Sequence, residues 1–170
     1  MSLDNIQLTG LLYTSIFKNY LVDLNDNKRS ETLTRKAIAD FLGGNKQHIL
    51  FVAKDSENKF LADSQMKFLN DLLNACNLTM ADIAFMNIYK KSDVSYRDLA
   101  KQISPKKVLL FGVDAQELDL PFEIPFFQIQ NFQEQVYIVC PSLEELQLNK
   151  ELKKQLWNCL QKVFNIQKKK

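Results

Sequence analysis

Five short apolar runs, separated by stretches whose apolar positions recur every three or four residues, decide most of what this chain can become. Ile49, Leu50, Phe51 and Val52 stand unbroken in a strand expected over 48–54, and Val108, Leu109, Leu110 and Phe111 end at Gly112 in the same way. A strand without polar alternation is buried on both faces, as in a parallel sheet covered by helices on each side. A further run over 83–89 has the same character. Between these runs, Phe68, Leu69, Leu72, Leu73 and Cys76 form a helical stripe behind a cap at Asp63 or Ser64. Ser95 and Asp98 have capping-box spacing for a helix that runs through Leu99 and Ile103 and stops before Pro105.

Two more strands are expected over 126–130 and 136–140, and the short link between them makes the pair antiparallel. Ser142 and Glu145 repeat the capping-box spacing after Pro141, and Leu152, Leu156, Cys159, Leu160, Val163 and Phe164 build the apolar face of a final helix. Upstream, Leu33, Ala37, Ile38, Phe41 and Leu42 predict a helix over 31–42 that stops at Gly43 and Gly44. The expected fold is α/β, a three-layer α/β/α sandwich around a mostly parallel central sheet of four to five strands with right-handed crossovers. One domain is expected over 48–167, with an N-terminal segment and helix over 1–47 packed on it and a basic tail at 168–170.

At 170 residues such a domain buries roughly 70% of its unfolded surface and needs no cross-links. The net charge is only +2, with Lys168, Lys169 and Lys170 supplying excess at one end, so the composition predicts no membrane attraction and at most weak or indirect contact with DNA. No secretory-type start and no run of about 18 apolar residues is present, and the three cysteines are scattered; a cytoplasmic protein is expected. His48 is the one histidine, no Cys-x-x-Cys pair exists, and the four glycines have no phosphate-loop spacing. Neither a metal nor a cofactor is expected, and no nucleophile–histidine–carboxylate triad suggests itself.

In parallel sheets ligands sit at the carboxyl ends of the strands. Here that edge comprises Asp55 and Ser56, Tyr89 and Lys90, the stretch 112–114, and Pro141 with Ser142. Ahead of the first strand, Leu8, Leu11, Leu12, Tyr13 and Phe17 form an apolar, aromatic stretch that reads either as a docking segment for a partner or as a helix packed on its own core, with 25–30 as a polar link.

The segment Leu50 to Ser56, with Tyr137 to Leu143 downstream, resembles the two motifs of the uracil-DNA glycosylase superfamily. The resemblance implies that Asp55 stands where the family positions a catalytic water and Asn87 where it reads the uracil edge. Cys140 stands where the family carries the histidine that faces the departing base. A neutral thiol is a weak donor and a poor substitute for imidazole, so the resemblance implies a glycosylase-like fold without glycosylase activity. Over nearly the whole chain, Leu8 to Tyr13, Ile49 to Asp55, Phe111 to Asp114, Val139 to Leu143 and Leu156 with Trp157 also resemble the psi-subunit family of bacterial DNA polymerase III. That likeness implies a non-enzymatic accessory subunit in DNA replication whose N-terminal segment docks on the clamp loader and which pairs with a chi-like subunit. A divergent glycosylase or base-binding protein, and an interaction domain with another partner, are the competing readings. An open cleft where Asp55, Asn87 and Cys140 converge would fit the enzyme; a site filled by Phe85, Met86 or Phe127 would fit the binding subunit.

Overall fold

The computed structural model describes residues 40–89 and 94–166. Leu8, Leu11, Leu12, Tyr13 and Phe17, the link over 25–30, positions 31–39 of the expected helix, Lys90 and the tail at 168–170 lie outside the described residues.

The elements run β1 Ile49–Ala53, α1 Asp63–Ala75, β2 Ile83–Asn87, α2 Tyr96–Ile103, β3 Lys107–Phe111, a 3₁₀ turn Ala115–Leu118, β4 Ile129–Phe132, β5 Gln135–Cys140, α3 Leu143–Leu148 and α4 Lys150–Val163. They build one five-stranded sheet in the order β2-β1-β3-β5-β4. β1 pairs in parallel with β2 and β3, β3 with β5, and β4 joins β5 antiparallel.

The unbroken apolar runs mark the middle of the sandwich. Every residue of β1 is at most 2% exposed. Leu50 and Val52, with Ala84, Met86, Val108, Leu110, Tyr137 and Val139, pack against Tyr96, Leu99 and Ile103 of α2 and against the 3₁₀ turn. Their alternates Ile49, Phe51, Phe85, Leu109, Phe111, Ile138 and Cys140 pack against α1, α3 and α4. Helices on both faces of a mostly parallel sheet make the α/β three-layer arrangement that period-free strands require.

Four local expectations need correction. The expected helix over 31–42 does not include its last residues: Leu42 instead bridges Phe85 in antiparallel fashion, with Leu42 N–H donating to Phe85 O at 2.8 Å. Gly43 and Gly44 are there for close approach to the β2 chain, since a Cβ on Gly43 would lie 2.6 Å from Met80 O and one on Gly44 2.5 Å from Ala81 O. Neither Asp63 nor Ser64 caps α1; the N-cap is Ala62, whose methyl group has no polar atom to accept a capping bond. The strand expected over 126–130 is shifted to Ile129–Phe132, because a turn with Phe127 at φ 61° and Gln128 N–H donating to Pro125 O interrupts it. The C-terminal helix is two helices, since Asn149 leaves the helical region and accepts from Glu151 N at 2.9 Å and Leu152 N at 3.3 Å, capping α4.

Candidate functional site

Asp55 and Asn87 come together because β1 and β2 are neighbours in register, Ala53 opposite Asn87. The Asn87 amide uses its whole bonding capacity there. Its Oδ1 accepts from Asp55 N at 3.1 Å and Tyr89 N at 3.0 Å, and its Nδ2 donates to Asp55 O at 2.9 Å and Asn58 O at 3.0 Å. One side chain thus stitches the loop after β1 to the end of β2.

The Asp55 carboxylate is equally committed. Oδ1 accepts from Glu57 N and Asn58 N, both at 2.9 Å, and Oδ2 accepts from Asn58 Nδ2 at 3.1 Å and Ala62 N at 3.2 Å. Partial burial works to raise its pKa, but these donors outweigh burial and hold the carboxyl below its ordinary value. The bond to Ala62 N also explains how α1 starts without a local cap: the helix entrance is tied back to Asp55. Ser56 is exposed at the turn of this loop.

Cys140 and Ser142 do not join this group. Asn87, Ala53, Phe111 and Cys140 lie in one register row across β2, β1, β3 and β5, so Cys140 is three strand spacings, roughly 14 Å, from Asn87. Its side chain is fully buried in the core under α3 and α4, where burial first, and then neighbouring Cys159, push the thiol well above its usual pKa. Ser142 is the N-cap of α3: its Oγ accepts from Glu145 N at 3.2 Å, and its own N–H donates to Glu145 Oε2 at 3.1 Å. Gly112, at φ 63°, fits beside it because an added Cβ would come within 3.0 Å of Ser142 Cβ. Phe85 and Met86 are fully buried within the sheet, and Phe127 is half-buried against the core shared with Cys140.

Two features of the structure are not among the sequence expectations. The chain leaves β1 toward β2 and leaves β3 toward β5, so the crevice of such a sheet falls between the ends of β1 and β3. An ion pair of Lys54 with Glu117 spans it. Glu117 Oε1 also accepts from Asp114 N at 3.0 Å, completing a capping box whose signal is the Asp114-x-x-Glu117 spacing. No protein-family model matches the chain, and no curated protein matches it. The second feature is a shallow depression of about 420 Å³ at the opposite, amino end of the strands, lined by residues of the α2–β3 and β4–β5 connections, among them Ser104, Lys106, Gln133 and Glu134. Its position differs from the carboxyl-edge location expected from the sheet type.

Among the described residues, no three His, Cys, Asp or Glu side chains gather closely enough to share a metal ion. None of the described helices is long and apolar enough to cross a membrane.

Proposed function

We propose that the chain is a non-enzymatic accessory subunit that works by binding other proteins, of the kind the psi-like segments imply: a component of the replication machinery docking on a clamp loader and a chi-like subunit. One observation carries the non-enzymatic part of this reading. The two polar side chains that the glycosylase likeness singles out, Asp55 and Asn87, spend their hydrogen-bonding capacity on the loop between them, and the third glycosylase position, Cys140, is a buried thiol a few strands away. A water or a flipped base would have to displace those bonds before it could be held. The partner assignment rests on the sequence likeness, with Leu8, Leu11, Leu12, Tyr13 and Phe17 as the docking residues.

The test is co-sedimentation of the intact protein with the purified clamp-loader complex of its host, beside a Leu11→Asp, Leu12→Asp double variant of unchanged circular dichroism. Complex formation by the intact chain alone supports the reading, and no complex with either form rejects it. Uracil excision from single- and double-stranded DNA is expected to be absent, and measurable turnover abolished by Asp55→Ala would replace this reading with the enzyme.

A further inference from the structure

The two edges of the sheet are treated differently. At the β2 edge the chain's own residues 42–47 run alongside and bond to it, Leu42 N donating to Phe85 O at 2.8 Å and Asn45 N to Ile83 O at 2.9 Å. At the other edge stands β4, with Ile129, Gln130 and Asn131 all exposed.

The direction of each backbone group on β4 follows from its neighbours. Val136 N donates to Lys106 O and Cys140 O accepts from Gly112 N, so 136, 138 and 140 aim their backbone groups at β3, and 135, 137 and 139 aim theirs at β4. The partners of Gln135 and Tyr137 are Phe132 and Gln130, which therefore face β5. Ile129 and Asn131 are left with their N–H and C=O groups directed outward, the Asn131 carbonyl accepting only from the neighbouring Gln130 Nε2 at 3.3 Å.

Exposed edge strands are normally protected by lysines, prolines or inward charges. β4 has none of these, and the sequence from 124 to 133 contains no charged residue, with Pro125 lying before the strand. A charged peptide gains no attraction from such a strip, whereas two copies of it meet without like-charge repulsion. We infer that this edge pairs with the β4 edge of a second copy of the chain, antiparallel across a two-fold axis, to form a continuous sheet through the dimer. The outward groups fix the register: Ile129 exchanges two hydrogen bonds with Asn131 of the second copy and Asn131 two with its Ile129. Gln130 then lies on the axis opposite its own counterpart, in a non-hydrogen-bonded pair with Cα atoms about 4.5 Å apart.

That separation is within the range a disulfide spans, and the native thiols Cys76, Cys140 and Cys159 are all buried. Mild oxidation of Gln130→Cys is therefore expected to give a covalent dimer, while Glu134→Cys, at the hairpin turn, gives little. Sedimentation of the unmodified protein from micromolar to millimolar concentration is expected to show a monomer–dimer equilibrium. Gln130→Lys, which sets two ammonium groups face to face on the axis without touching the β4–β5 ladder, is expected to leave a monomer of unchanged circular dichroism. A protein that stays monomeric throughout, a Gln130→Lys variant that still dimerises, or cross-linking no better at 130 than at 134 each overturns the inference. The first of these results would leave the edge to a different protein or to water.

Discussion

The two halves of the sheet's carboxyl edge solve one problem by different means. At β1 and β2 the chain turns away through a polar knot, in which Asn87 and Asp55 bond the loop from within. At β3 and β5 it turns away through a steric fit, with Gly112 set against Ser142 and the Cys140 thiol sealed below. The first arrangement depends on hydrogen bonds and on one ionised carboxylate. The second depends on shape, and on a cap at the start of α3. The polar side chains at these strand ends are thus committed to holding the fold.

The comparison can be broken most forcefully at Asn87. Asn87→Ala removes the four Asn87 bonds of the knot and strands partly buried backbone groups, and a loss of about 2–3 kcal/mol is expected in urea unfolding. Hydrogen exchange should show the added opening in the loop over 55–62 and at the entrance of α1. A loss below a few tenths would mean that the knot is not what holds this end.

Gly112→Ala probes the other half by geometry alone. It places a side chain at φ 63° and crowds Ser142, with an expected cost of about 1–2 kcal/mol. Thermal unfolding of the double variant Gly112→Ala, Asn87→Ala should show nearly additive effects, since the two sites share no bonding partner; strong coupling would merge the two halves into one unit. Ser142→Ala removes a cap and should cost about 1 kcal/mol.

The smallest effect is also the most selective, because it bears on the Asp55 carboxylate that ties the polar half together. The Asp55 carboxyl is held below its ordinary value in the folded protein, so its stabilisation is fully present above the unfolded pKa near 3.9 and is lost as pH falls through the lower folded value. Stability should decline through that acid window, less steeply for Asp55→Asn and at the full slope for Gly112→Ala. Asp82, whose carboxyl is lowered by the Thr79 hydroxyl and N–H, supplies part of the remaining slope. An Asp55→Asn profile parallel to that of the unsubstituted protein would remove Asp55 from the account.

Features that depend on a few adjacent residues are legible in the sequence alone. Both capping boxes, Ser95 with Asp98 and Ser142 with Glu145, form as their spacing predicts. The apolar runs at β1, β2, β3 and β5 are strands, because nothing but a two-sided core accepts such runs. β4 lies away from its expected position because its register is set by a two-residue turn, Gln133 and Glu134 at φ 48° and 63°, made without the Asn-Gly pair that signals this conformation. Phe41 and Leu42 do not end a helix as expected, because apolar spacing cannot tell a helix from a strand segment borrowed by a sheet edge. At the candidate site, sequence places Asp55 and Asn87 on neighbouring strand ends. It has no access to their commitment, which depends on Asn58, Ala62 and Tyr89 arriving through the register of β1 with β2. Nor can it show that Cys140 lies at the far end of the same row.

The position of β1 between β2 and β3 also bears on how the chain emerges during synthesis. Ile49–Ala53 is made before both of its partners, β2 and β3, and each parallel pairing must wait for a helix to be completed in between. Until then a five-residue apolar strand with two open sides is exposed to solvent and to neighbouring nascent chains. Translation speed across residues 54–111 thus sets how long this uncharged apolar stretch goes unprotected.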